Sequence, residues 1–70
     1  GRPRDFKQAM EWYQKAAAQN MPNAINNIGY MYEHGQGVAT DRNEAIKWYK
    51  RAAALNYKEA KRNLERLGQQ

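Results

Sequence analysis

From Asp5 onward the apolar residues Ala9, Trp12, Tyr13, Ala16 and Ala17 recur at the spacing of one stripe along an α-helix, and Met10 widens that stripe. Ala24, Ile25, Ile28, Met31 and Tyr32 repeat the spacing, as do Ala45, Ile46, Trp48, Tyr49, Ala52 and Ala53, and then Ala60, Leu64 and Leu67. The pattern predicts four antiparallel helices over about 5–19, 22–34, 41–55 and 57–67. Punctuation supports these limits. Asp5 precedes Gln8 by three positions and Asp41 precedes Glu44 likewise, the arrangement of an N-terminal capping box. Asn20 and Asn56 stand where the first and third helices should stop, and asparagine tolerates the left-handed backbone of a C-terminal cap. Pro22 suits the first turn of the next helix, and His34-Gly35-Gln36-Gly37 breaks it.

Slid along itself by the spacing from Asp5 to Asp41, the chain overlays on itself. Gly1 falls on Gly37, Ala9 on Ala45, Trp12 on Trp48 and Tyr13 on Tyr49. Ala16 to Ala18 fall on Ala52 to Ala54, Asn20 on Asn56, Ala24 on Ala60 and Asn27 on Asn63. A period in the range of roughly 20–50 residues marks stacked supersecondary units, whose extended surfaces bind other macromolecules. Gly29 lies inside the second helix, where glycine costs up to about 1 kcal/mol relative to alanine. That cost points to a packing reason, the close approach of the Trp/Tyr helix of the same unit.

The run Ala24, Ile28-Gly29, Met31-Tyr32, Gly35, Gly37-Val38, Asp41, Ala45-Ile46, Trp48-Tyr49 and Arg51-Ala52-Ala53 closely resembles one complete unit of the Sel-one-like repeat family, a tetratricopeptide-like class. The first helix adds a second, partial copy. This resemblance implies an all-α, right-handed α-α superhelix, an α-solenoid of about two repeats in a single domain spanning 1–70. It also implies the work of an adaptor or scaffold, as in bacterial envelope, host-interaction and eukaryotic quality-control complexes. Asn20 and Asn56 replace the family's usual glycine. The last helix carries Glu65, Leu67 and Gly68 at the places of Gly29, Met31 and Tyr32, so Leu64 to Gln70 reads as a polar terminal cap.

Composition narrows the function classes. Seventy residues bury only about 60% of the surface the unfolded chain exposes, and with no cysteine there is neither a disulfide nor a thiolate metal site in support. No run of roughly 18 apolar residues is available to span a bilayer. The net charge of +5 is uneven, since residues 36 to 70 hold eight Lys/Arg against four Asp/Glu while residues 1 to 35 hold four against three. Such a balance favours acidic partners, whether peptide, nucleic acid or anionic surface, and is equally the mark of a solvated helix face.

Chemistry finds little footing. His34 is the lone histidine, without a second ligand at metal spacing, so neither metal nor cofactor is expected. Glu33 beside it has no positioned partner for acid–base work, and Gly35-Gln36-Gly37 follows a helix rather than the strand a phosphate loop requires. No catalytic residue is named and no enzyme is expected. Trp12, Tyr13, Trp48 and Tyr49 have the chemistry to stack on bases, but they share the alanine stripe and are expected in the core.

Recognition is therefore the expected function. In tetratricopeptide-like stacks the first helix of each unit lines a concave groove, which here places Asn23, Asn26, Asn27, Tyr30 and Glu33 beside Glu59, Arg62, Asn63 and Arg66. The planar guanidinium groups of Arg62 and Arg66, with Asn27 and Asn63, have the donors to grip a carboxylate and an extended, acidic peptide. Phe6, Met10 and Tyr13 form a second candidate, an N-terminal docking edge for another solenoid segment or a second copy, with self-association or early melting as its expected sign. Nucleic-acid binding through the basic C-terminal half is a further, weaker alternative, marked by steep salt dependence.

Overall fold

The computed structural model describes residues 5–68, so the pairing of Gly1 with Gly37 and the last two residues of the terminal cap, Gln69 and Gln70, lie outside the described residues. Four helices follow one another: α1 (Phe6–Ala17), α2 (Pro22–His34), α3 (Arg42–Ala54) and α4 (Lys58–Arg66). Each packs on the next, and α2 lies at the centre with α1 on one side and α3 on the other. The result is an α-solenoid segment 35 × 24 × 18 Å in extent.

Local chemistry starts and stops these helices. The Gln8 backbone N–H donates to the Asp5 carboxylate at 3.1 Å, and the Glu44 N–H donates to Asp41 at 3.1 Å. The Glu44 side chain faces Lys47 Nζ at 3.9 Å instead of folding back to close a full capping box. Replacing such a cap by alanine costs about 1 kcal/mol. Asp41→Ala is therefore expected to lower the thermal midpoint by several degrees, and an unchanged midpoint would remove Asp41 from the cap.

At the other ends, Asn20 and Asn56 take φ of 58° and 66°, the left-handed region. The turns they make are the same twice over. Met21 N–H reaches back to Ala16 O and Asn20 N–H to Ala17 O, while Tyr57 N–H reaches Ala52 O and Asn56 N–H reaches Ala53 O. These are Schellman turns, and they end α1 at Ala17, short of the expected Gln19. The helix α4 is the shortest, with 9 residues against 13 in α2, because Gly68, at φ 77°, stands where α2 continues through Tyr32.

The core runs between α1, α2, α3 and α4. Met10, Ala17, Ile25, Ile28, Met31, Ala52 and Ala60 form one buried cluster, and Ala45, Tyr49 and Leu64 form a second. Alanines at Ala45, Ala52 and Ala60, all with no exposed surface, let the helices approach closely. Gly29 marks the closest approach: a Cβ there would lie 2.8 Å from the Tyr49 ring and 3.2 Å from the Ala45 carbonyl oxygen. The packing reason expected for this glycine is thus the Tyr49 side of α3.

One core expectation needs correction. Trp48 is half-buried against the cluster that holds Met10 and Ala17, but its repeat partner Trp12 is 66% exposed, with Lys15 Nζ 5.7 Å above its ring. The helical stripe is correct, yet no neighbouring helix among the described residues covers this part of α1. The C-terminal cap also proves less polar than its sequence, since Leu64 is buried, Leu67 is half-buried and the Arg42 guanidinium donates to Leu67 O at 2.6 Å.

Candidate interaction surface

The helices α2 and α4 carry their polar residues in matching registers, Asn23, Asn26, Asn27 and Tyr30 on one and Glu59, Arg62, Asn63 and Arg66 on the other. Asn63 Nδ2 donates to Asn26 Oδ1 at 3.0 Å and holds the two helices side by side. Asn26 is only 6% exposed, so its amide is a structural tie and not a ligand-facing group. Asn63, half-buried, is committed to the same tie.

Arg66 is likewise engaged. Its Nη1 donates to Glu33 Oε2 at 2.6 Å, its Nη2 to Glu33 Oε1 at 2.9 Å, and Nη2 also reaches Asn63 Oδ1 at 3.0 Å. The Tyr49 hydroxyl donates to the same carboxylate at 2.6 Å. The paired guanidinium holds the Glu33 carboxyl down to about 2, against the opposing effect of its partial burial, with the Tyr49 hydroxyl adding to the fall. Burial and the neighbouring carboxylate push the Tyr49 phenol up, and Glu33 pushes the Arg66 guanidinium up. Glu33 is thus the hub of a clamp joining α2, α3 and α4. Its fork-to-fork pair with Arg66 satisfies the carboxylate that composition alone left without a partner.

The remaining members of the predicted groove face outward. Asn23, Glu59 and Arg62 are exposed, and Tyr30 is 45% exposed with its ring 4.2 Å from that of His34. Tyr57 Oη lies 3.5 Å from Glu59 Oε1. Arg62 has no side-chain hydrogen bond or ion pair among the described residues, which makes it, rather than Arg66, the guanidinium available to a ligand.

Asn27 and Tyr30 also take part in a second feature. A cleft of about 260 Å³ opens between α1 and α2, with Phe6, Ala9 and Tyr13 on one wall, Asn27, Tyr30 and Met31 on the other, and Gln36 at its end. The predicted groove and the predicted docking edge meet there. Phe6 packs over the loop: a Cβ at Gly37, whose φ is 78°, would fall 2.8 Å from Phe6 Cβ. Met10 does not belong to the edge as expected. It is 9% exposed and turns into the core, because α2 covers its face of α1.

The repeat read from the sequence coincides with a known one. The Sel1 repeat profile matches residues 1–21 and 22–57. The chain belongs to the Sel1 repeat family. Sel1 repeats form a non-catalytic scaffold that mediates protein–protein interaction. A solved Sel1 repeat protein from Oxalobacter formigenes superposes with a TM-score of 0.86 at 48% identity, covering 90% of this chain and 26% of that one. Among curated proteins, the ERAD-associated E3 ubiquitin-protein ligase component HRD3A of Arabidopsis thaliana is 49% identical over 41 residues, 59% of this chain and 6% of the relative. The component HRD3 of Candida glabrata is 47% identical over 38 residues, 54% of this chain and 5% of the relative. The chain therefore spans a small fraction of the length of the relatives it matches. No helix is long and apolar enough to cross a membrane among the described residues.

Proposed function

We propose that this Sel1 segment is a protein-interaction module that receives an extended, acidic peptide along the exposed polar face of α2 and α4. The observation that carries the reading is the Asn26–Asn63 tie at 3.0 Å, which sets the two helices abreast and leaves Asn23, Tyr30 and Arg62 outward on adjoining ridges. Arg62, unpaired among the described residues, supplies a planar donor for a carboxylate, and the half-exposed Tyr30 supplies a flat apolar contact of the kind enriched at interfaces. The formal charge of +5 draws acidic ligands at long range. The role is one of binding and includes no chemistry.

The test compares fluorescein-labelled extended peptides of equal length and acidic, neutral or basic composition. The acidic member is expected to bind tightest, and Arg62→Ala is expected to weaken it by about two- to fivefold, the loss of one exposed ion pair worth about 0.5–1 kcal/mol. Because Arg62 is exposed, its thermal midpoint should hold. Equal binding of all three peptides, or an undiminished Arg62→Ala affinity, would overturn the acidic-peptide reading. Substituting Arg66 is no substitute for this experiment, since it breaks the Glu33 clamp.

A second reading, assembly with another helical segment through the α1 edge, is favoured by one contrast. Trp12 is 66% exposed while Trp48, at the same place in the next copy, is half-buried.

A further inference from the structure

Positive charge is gathered at one end of the helix row. Arg51 Nη2 donates to Ala17 O at 3.1 Å, which sets the ends of α1 and α3 together and brings the turns 18–21 and 55–57 onto one rim. Lys15 and Arg51 lie in the last turns of α1 and α3, with Lys50 just before Arg51. Lys58 and Lys61 lie in the first turn of α4, where Lys61 Nζ reaches Asn56 Oδ1 at 3.5 Å. Glu59 is the single carboxylate beside them. Elsewhere the balance is reversed: Lys7, Arg42, Lys47, Arg62 and Arg66 are outnumbered by Asp5, Glu11, Glu33, Asp41, Glu44 and Glu65. Pairing sharpens the contrast. Glu44 holds Lys47 and Glu33 holds Arg66, whereas no rim cation forms an ion pair among the described residues.

Two apolar side chains stand on the same rim, one on each turn. Met21 is 48% exposed at the start of α2, and Leu55 is 42% exposed at the end of α3. We propose that this rim docks on an anionic lipid surface, with the lysines over the headgroup charges and Met21 and Leu55 reaching the boundary between headgroups and acyl chains. Apart from Arg51 the rim cations are lysines, compact charges on flexible stems that suit a diffuse field of headgroups better than one fixed carboxylate. Their stems lie along apolar surface while the ammonium groups stay with the polar headgroups.

Other anionic macromolecules fit the rim less well. Base stacking needs a free aromatic face, but Tyr57 is half-buried against the core and the Trp12 ring, one turn back along α1, carries Lys15 Nζ at 5.7 Å. An acidic peptide needs a groove, and the cleft between α1 and α2 lies toward Phe6 and Gln36, away from the rim. Position also favours a broad surface. The helices pack in a row from α1 to α4, so a further helix joins the side of the row and leaves the rim bare. This inference stands apart from the acidic-peptide reading, because it uses the helix ends and not the Arg62 face.

The probe is a pair of phosphatidylcholine vesicles, one with and one without phosphatidylserine, mixed with the full chain and sedimented. The chain is expected to bind only the phosphatidylserine vesicles and to leave them at about 1 M salt, where the Debye length shrinks to roughly 3 Å. Lys50→Gln with Lys58→Gln should weaken binding roughly ten- to thirtyfold, the effect of two cations beside an anionic surface. Lys7→Glu removes the same net charge, but Lys7 lies roughly 12 Å behind Lys15 along α1, beyond a Debye length, and its loss should cost less than about twofold. Met21→Ser with Leu55→Gln should weaken binding about three- to tenfold, because affinity scales with buried apolar area. Serine is a favoured helix N-cap, and glutamine is what the sister turn carries as Gln19, so this variant should fold. With a nitroxide-labelled lipid in the vesicle, ¹⁵N signals of Met21, Leu55 and Lys58 should fade before those of Lys7, Glu44 and Glu65. Equal binding to both vesicles, equal losses in the lysine pair and in Lys7→Glu, undiminished binding of the apolar variant, or fading centred on Glu44 and Glu65 would each overturn the proposal. Tighter binding to polyglutamate or to single-stranded DNA than to the vesicles would also overturn it, assigning the rim to an acidic protein or a nucleic acid. Thermal midpoints show that each variant is folded; should one unfold, the salt and nitroxide arms on the parent chain decide alone.

Discussion

Gly29→Val is expected to lower the thermal midpoint of this chain by roughly 5–20 °C. A single Cβ at this position would lie 2.8 Å from the Cδ1 and Cε1 atoms of Tyr49, inside any real contact distance. The ring has little room to retreat, for Tyr49 is fully buried and its hydroxyl is held by Glu33 at 2.6 Å. The Ala45 carbonyl, 3.2 Å away, is helix backbone and moves only with α3. Overpacking a dense core costs typically about 1–3 kcal/mol for small additions, and a branched side chain adds χ1 strain. A domain of this size has a margin of only about 4–10 kcal/mol at the general rate per residue. Gly29→Ala sharpens the test, because helix propensity alone would make it about 1 kcal/mol more stable. A lower midpoint for Gly29→Ala shows that the Tyr49 contact outweighs propensity, and a raised one would deny it. In a double-mutant cycle, Tyr49→Leu should recover part of the Gly29→Ala loss by freeing the space the ring occupies.

Legibility in the sequence followed the range of the interaction. Helix starts at Asp5 and Asp41 and stops at Asn20 and Asn56 depend on bonds to residues within five positions, so short motifs carried them. The Gly29 approach to Tyr49 crosses between helices, yet an unfavoured glycine in a helix interior betrayed it. Glu33 lacked such a signal. Its partners, Tyr49 and Arg66, are distant in the chain, and Arg66, beside Arg62 on the groove face, reads from sequence as a donor for a ligand carboxylate and not as the partner of Glu33. The spacing of Gly29 and Glu33 by one helical turn, both toward the same tyrosine, was the available clue. Trp12 and Met10 misled for a related reason. A stripe tells which face of a helix is apolar, but burial depends on what stands opposite, and α2 covers Met10 while leaving Trp12 at 66% exposure.

The Glu33 clamp is expected to make the stability of the fold fall in acid. Its carboxyl is held at about 2 in the folded chain, mainly by Arg66, against an ordinary value of 4.5. The folded state therefore binds fewer protons than the unfolded state between these values. The stabilisation is fully present above pH 4.5 and is lost as pH falls from 4.5 toward 2. Glu33→Gln removes the charge while keeping the shape, leaving the Tyr49 hydroxyl an amide oxygen and Arg66 no counter-ion. At neutral pH this variant is expected to lose about 1–3 kcal/mol, the usual cost of breaking a part-buried charged hydrogen bond. Thermal midpoints measured from pH 7 to pH 2 should start apart and converge as Glu33 titrates in the parent chain, whereas parallel curves would show that the carboxylate charge contributes nothing. Arg66→Leu serves as the second arm, since it removes the main cause of the depressed carboxyl and should move the acid midpoint of unfolding upward. Arg62→Leu, on the same helix but outside the clamp, should leave that midpoint in place. The contrast separates a specific pair from the general relief of positive charge on α4, which both substitutions share.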